Sequence, residues 1–207
     1  MSIIIDLHND FIETCENKSE PYEKGFQFFK ANSLAFYNVT KFDNLEEVTA
    51  YKELSWKYLQ TLSQIGHLND VLDLVLIVIP VLDPELDRFN IDKSKDIWYK
   101  GIIRLDAEAA YGLKDYETAL KEYKLLLKLD PENDVLKKWV DYCRIGLLGR
   151  FNTRLGIISF ACIVISMLLI NYKPRSIGLV FLYSGLVGLA VVLTIEGYNQ
   201  RSRRRSK

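Results

Sequence analysis

Histidine and cysteine are scarce in this sequence, and their scarcity excludes several chemistries. Only two histidines, His8 and His67, and three cysteines, Cys15, Cys143 and Cys162, occur in 207 residues. The cysteines lie far apart and form no Cys-x-x-Cys pair, so they offer no disulfide framework and fit a reducing compartment. No GxxxxGK[ST] phosphate loop, no GxGxxG turn and no serine in a GxSxG elbow is present. The N-terminal MSIIIDLHNDF lacks the basic stretch and long apolar run of a secretory signal. Alternating apolar and polar runs, the mark of a half-buried strand, are few in residues 1–152.

One stretch invites a catalytic reading. Ile3 to Asp10, IIIDLHND, sets Asp6, His8 and Asp10 after an apolar run. Metal-dependent dipeptidases and amidohydrolases carry a similar Asp-x-His-x-Asp at the start of a barrel. Such a site needs further histidine ligands and a barrel of about 250 residues. His67 is the sole other histidine, and no strand–helix alternation follows. The expectation is no enzyme, no metal and no cofactor, with Ile3, Ile4, Ile5 and Leu7 docking an N-terminal helix or arm. Cys143 falls on an apolar helix face and reads as packing rather than as a nucleophile.

Net charge is also missing, because Lys plus Arg equals Asp plus Glu at 27 each. The balance conceals a division. Residues 1–152 hold 26 of the acids and 19 of the bases, whereas residues 153–207 hold one acid and eight bases. An acidic body argues against a nucleic-acid partner, since phosphate contacts require Lys and Arg there.

The basic end contains two uncharged runs, Leu155 to Tyr172 and Ser176 to Ile195. At 1.5 Å rise per residue, about 20 residues span a hydrocarbon core roughly 30 Å thick. Only Lys173-Pro174-Arg175 separates them, so the sequence predicts an antiparallel transmembrane hairpin over 153–198. Arg144, Arg150 and Arg154 precede it, and Arg201, Arg203, Arg204, Arg205 and Lys207 follow in a basic tail over 199–207. The positive-inside rule then puts both termini in the cytoplasm, with a bacterial inner membrane as the default. Arg150, Arg154 and the tail bases are expected to meet anionic lipid headgroups. Ser184 and Gly188 form a small-xxx-small pair suited to packing against the first span or, less favourably, to dimerisation.

Residues 1–152 show helical periodicity. In Asp115 to Leu129, Tyr116, Ala119, Leu120, Tyr123, Leu126 and Leu127 share one face, and Asp115 is placed to cap the start. Leu129-Asp130-Pro131-Glu132 follows, with Asp130 read as the cap of the next helix and Pro131 in its first turn. The next buried face is Val135, Leu136, Trp139, Tyr142, Cys143 and Leu147. The same tetrapeptide occurs 47 positions upstream as Leu82 to Glu85. That register aligns Leu72 with Ala119, Leu76 with Tyr123, Ile79 with Leu126 and Leu82 with Leu129, leaving Asp87 to Lys95 as an inserted polar linker. Val71 to Leu82 is too short to span a bilayer and reads as a core helix whose last turn Pro80 kinks.

Residues 98–133 resemble the tetratricopeptide repeat. Ala107, Ala119, Tyr123, the Asp115-Tyr116 turn and the Leu129-Asp130-Pro131 ending occupy that family's characteristic positions. Ala110, Lys114 and Leu126 depart from an aromatic, a glycine and a small residue. A degenerate copy covers about 55–85, and helices near 22–37 and 45–65 complete the stack. The resemblance implies an all-α fold of antiparallel helix pairs with a concave protein-binding groove. By that resemblance Arg104, Glu108 and Tyr111, spaced i, i+4, i+7, face the groove. The functional expectation is a membrane-anchored protein–protein adaptor whose partners are an unidentified protein and membrane lipid. The alternative is an accessory subunit that acts on a larger membrane complex through its hairpin.

Overall fold

The architecture is all-α in a computed structural model that describes residues 2–16, 21–170 and 175–205. The chain divides into two compact units, Met1–Val140 and Asp141–Lys207. The division falls within one long helix.

The first unit opens with α1 (Ile3–Phe11), which runs into a π-helical turn over Ile12–Glu16. Ile4, Leu7 and Phe11, three and four apart, are its buried face, whereas Ile3 is exposed. The IIIDLHND stretch is therefore helix, and Ile4 and Leu7, its second and fourth apolar residues, do the docking. α2 (Pro21–Tyr37) begins at a proline, whose fixed φ suits a first turn. α3 (Leu45–Gln64) is capped reciprocally. Asn44 accepts from the Glu47 amide at 2.9 Å, and the Glu47 carboxylate accepts from the Asp43 amide at 2.8 Å. An aromatic cluster joins these elements: Phe29 stacks on Tyr58 at 4.2 Å and Phe36 on Tyr51 at 4.9 Å.

α4 (Leu68–Arg88), α5 (Ile97–Gly112) and α6 (Tyr116–Leu129) follow. α4 packs on α3 and α5, and α5 packs on α3, α4 and α6. Lys52 of α3 pairs with Asp96, the N-cap of α5, and both are almost fully buried. Removing either partner would strand a buried charge.

The pairs α3–α4 and α5–α6 share a turn geometry and a burial pattern, in a register of 48 rather than 47. Both turns close identically. The His67 amide reaches the Leu62 carbonyl at 2.9 Å, and the Asp115 amide reaches the Ala110 carbonyl at 2.8 Å. This six-to-one bond requires a left-handed residue in the turn, which is Gly66 (φ 83°) in one copy and Lys114 (φ 63°) in the other. Burial repeats in the same register. Tyr51, Leu54, Leu59 and Leu62 correspond to Tyr99, Ile102, Ala107 and Ala110, all buried. Val71, Val75 and Val78 correspond to Ala119, Tyr123 and Leu126, also buried. The 47-residue register fails because it sets Leu76, 74% exposed, on Tyr123, 0% exposed.

The shared tetrapeptide misled because its two copies differ in structure. Leu82 to Glu85 lies inside α4, which continues through Pro80 and Pro84 to Arg88. Both prolines are exposed and four apart, so the carbonyls they leave unbonded face solvent. Pro80 thus sits two turns before the end of α4. In the second copy the chain breaks. Asp130 ends α6, Pro131 lies in a turn, and Asn133 caps the next helix by accepting from the Val135 and Leu136 amides at 3.1 and 3.2 Å. One helix, α3, serves where the sequence reading placed residues 55–65 in two successive pairs.

α7 (Asp134–Ile170) begins in the first unit and continues into the second, where α8 (Arg175–Arg205) joins it. Both helices contain stretches long and apolar enough to cross a membrane. The intervening residues 171–174, including Lys173 and Pro174, lie outside the described residues, as does Lys207. The backbone of α8 remains helical through Arg201, Arg203, Arg204 and Arg205, so the described part of the expected tail is a helix end.

The second unit is packed with its polarity reversed. Asn152, Ser159 and Ser166, spaced by seven, are 6%, 3% and 0% exposed, whereas Ile157, Phe160, Met167 and Leu168 are exposed. α8 meets this seam with glycine. A Cβ on Gly185 would lie 2.7 Å from Ile163 Cγ1, and one on Gly188 would collide with Ser159. The packing residues are thus Gly185 and Gly188; Ser184 is exposed. The serine hydroxyls donate within their own helix, Ser159 to Leu155 and Ser166 to Ile163, each at 2.7 Å. Asn152 Nδ2 reaches Glu196 Oε2 at 3.5 Å.

Candidate protein-binding cavity on the first unit

A cavity of about 360 Å³ opens between α5, α6 and the first turns of α7, all within the first unit. α5 supplies Ile97, Lys100, Gly101 and Arg104, one stripe at helical spacing. α6 supplies Tyr123 and Leu126, and α7 supplies Val135, Leu136 and Trp139. The volume is at the lower end of the range for small-ligand sites. The floor is aromatic: Tyr123 and Trp139 stack with centroids 5.4 Å apart and planes 9° from parallel. The rim is mixed in charge, with Lys100 and Arg104 on α5 and Asp130 at the end of α6.

The three groove residues read from the sequence separate here. Arg104 lines the cavity. Glu108 holds Arg104 by a 2.7 Å ion pair but lies outside the lining. Such an exposed i, i+4 pair contributes a few tenths of a kcal/mol, about 0.3–0.5, so Arg104 is readily released to another anion. Tyr111 is packing: its ring lies edge-on to Trp139 at 5.1 Å and to Tyr116 at 5.4 Å. Ile97, Lys100 and Gly101 join Arg104 in the lining, one and two turns along the same stripe toward the start of α5.

Several titratable groups outside the cavity lining are shifted by burial. Asp106 of α5 is buried and has its carboxyl pushed up to about 7, by desolvation first and by the neighbouring Glu122 of α6 second. Lys121 pairs with Glu122 at 3.1 Å and opposes that shift on Asp106. Tyr99 donates to Asp83 at 2.7 Å, and burial raises its phenol. In the second unit burial pushes the Cys143 thiol up to about 11, which keeps it protonated at neutral pH.

The residues of the opening stretch do not converge. His8 meets Glu53 of α3 at 3.2 Å, and Asp10 is exposed. Among the described residues no three His, Cys, Asp or Glu side chains gather as a metal site would require. The interfacial bases are placed in part: Arg150 and Arg154 are exposed on α7, and Arg201, Arg203, Arg204 and Arg205 fall in the final turns of α8. The chain matches no protein-family model, no curated protein and no solved structure.

Proposed function

We propose that this chain is a membrane-anchored adaptor, which uses a tetratricopeptide-like helical domain to hold a partner protein at a bilayer. One observation carries the anchoring half of this reading: the reversed polarity of the second unit. A two-helix unit in water would bury its apolar side chains and expose its serines. This one buries Asn152, Ser159 and Ser166 against Gly185 and Gly188 and turns Ile, Leu, Val and Phe outward. Small and polar residues on the seam, with apolar residues facing the solvent, is the packing rule of helices in lipid. Arg150, Arg154 and the bases closing α8 flank the apolar stretches and would sit at anionic headgroups on the cytoplasmic side.

The binding half rests on the duplicated helix pair. In the second copy Ala107, Ala119 and Tyr123, the positions that resemble the tetratricopeptide family, are fully buried. Lys114 takes the left-handed conformation where that family has glycine. Stacked pairs of this kind present a continuous surface to a partner, and the cavity lined by Arg104 lies on that surface here. Confining the domain to a membrane raises the effective concentration of any partner held there, with no new contact.

Two experiments test this reading. Asn38-Val39-Thr40 is a glycan acceptor sequence in the loop before α3, with Asn38 exposed. Translation into endoplasmic-reticulum microsomes should give a carbonate-resistant, unglycosylated product. A glycosylated product would invert the topology, and extraction by carbonate would remove the anchor. Co-purification from native membranes, comparing the native chain with Lys100→Glu plus Arg104→Glu, then tests the surface. A partner recovered with the native chain and lost with the variant supports the adaptor. Partners that survive the variant but vanish when 155–195 is replaced by an unrelated two-span hairpin would instead make the hairpin the working part.

A further inference from the structure

The duplicated unit also indicates what the cavity takes. Between α3 and α5 the corresponding space is filled from within. Trp56 of α3 lies against Trp98 of α5, with ring centroids 5.0 Å apart. Trp56 rests on the bare backbone of Gly101, where a Cβ would come within 2.7 Å of the indole.

One repeat further on, neither indole is present. The 48-residue register sets Arg104 in the place of Trp56. Along the next helix, Tyr99 and Ile103 of α5 are buried as Leu136 and Val140 of α7 are, which sets Val135 in the place of Trp98. Both replacements are exposed. The space that two tryptophans occupy in one copy is, in the other, the cavity of about 360 Å³. Its remaining walls include surfaces an aromatic ring prefers, Tyr123 and Trp139 as a stacked pair with Leu126 and Leu136 beside them, while Asp130 and Asn133 line the side between α6 and α7. Lys100 and Arg104 stand together on the α5 side of the mouth, with the exposed Arg104 held by the half-buried Glu108.

We propose that this cavity receives an aromatic side chain, tryptophan above all, from an extended segment of the partner protein, and that an acidic residue beside it pairs with Lys100 and Arg104. The inference rests on the adaptor reading and adds the chemistry of the segment it binds. The partner's ring completes the plug that the first copy supplies for itself. A buried aromatic anchor beside a bidentate arginine–carboxylate pair concentrates binding energy in few residues.

The test uses the full chain in lipid nanodiscs and N-acetyl-Trp-Asp-amide as the probe, followed by calorimetry and saturation-transfer NMR. Saturable millimolar binding is expected. It should weaken about tenfold with N-acetyl-Ala-Asp-amide, with N-acetyl-Trp-Lys-amide or in Arg104→Glu. Val135→Trp restores the missing indole on an exposed first turn, and should abolish probe binding while raising Tm. The proposal is overturned if octanoate binds as well as the tryptophan probe, which would make the site a lipid-tail pocket. It is equally overturned if Val135→Trp leaves probe binding unchanged, or if no saturable binding occurs. Failure here is separable from failure of the adaptor. A membrane partner lost with Lys100→Glu plus Arg104→Glu but retained with Val135→Trp leaves the adaptor standing and removes the aromatic anchor.

Discussion

The two units of this chain obey opposite rules of burial. In the first, Leu54, Leu59, Val71 and Ile102 are sealed from solvent, while acids and lysines cover the helices. In the second, serine and asparagine are sealed, and Ile157, Leu168, Val187 and Leu193 are out. The hydrophobic effect explains the first and cannot explain the second in water. Helices in lipid gain nothing by hiding leucine from a hydrocarbon solvent, so close backbone approach at glycine decides the seam instead. One sequence thus carries two burial patterns, and the second is the one expected of helices in lipid.

The largest expected break in this contrast is in the first unit. Leu59→Ala empties a fully buried site at the centre of α3 and should cost about 2–5 kcal/mol. Urea titration of the full chain in mild detergent, read by far-ultraviolet circular dichroism, would measure it. Next is a matched pair of exposed leucine-class positions. Val187→Arg on α8 should oppose membrane insertion by about 2.5–3.5 kcal/mol, read by the inserted fraction in microsomes. Leu76→Arg on α4, more exposed still, should change the stability of the first unit by no more than about 0.5 kcal/mol. Equal effects at the two positions would erase the distinction between the units.

A third prediction concerns an exception inside the first unit. Where α3 and α4 have Tyr58 and Leu74, the second copy has Asp106 and Glu122, both buried. Asp106 ionises near 7 in the folded chain and near 3.8 when unfolded. The folded state therefore holds the extra proton between these values, and stability falls as pH rises from about 4 to 7. Lys121 on Glu122, and the Asp83–Lys93 pair beside Tyr99, are the other charged groups around this interior. Asp106→Asn should match the native chain at pH 4 and exceed it by on the order of 2 kcal/mol at pH 8. Thermal melts at the two pH values would show whether the difference opens in that direction.

Legibility differed by feature. A periodic run declared α6, and the uncharged runs from 155 and 176 marked parts of α7 and α8, but the continuity of α7 from Asp134 and of α8 to Arg205 was not read. Asp115 was readable as a cap because it precedes a strong apolar face, and it accepts from the Thr118 amide. The register of 47 taken from the shared tetrapeptide does not match the burial pattern, which recurs at 48. Proline is a strong local signal, and the matched Leu-Asp-Pro-Glu copies outweighed the softer burial pattern. Pro84 in α4 is tolerated on an exposed face, a fact of tertiary placement that no local rule supplies. Of the groove residues read from the sequence, Arg104 lines the cavity and Tyr111 packs edge-on to Trp139, a contact between different helices that no spacing rule supplies.

The smallest effect tests the repeat itself, at the residue where its two copies differ most simply. Gly66 and Lys114 hold the same left-handed turn and the same pair of hydrogen bonds. Around Gly66 a Cβ would meet nothing within 4 Å, so the cost of a side chain there is conformational alone. A non-glycine residue in this region costs roughly 1–2 kcal/mol, and glycine returns part of that through the entropy of the unfolded chain. Lys114→Gly should then stabilise by about 1 kcal/mol or slightly less, and Gly66→Lys should destabilise by a similar amount. The double exchange should return close to the native value, and any departure measures the coupling between the turns, which meet where Leu68 lies against Gly112. If Lys114→Gly destabilises, the lysine side chain has a role that the turn's backbone does not, and the two copies are equivalent in shape only.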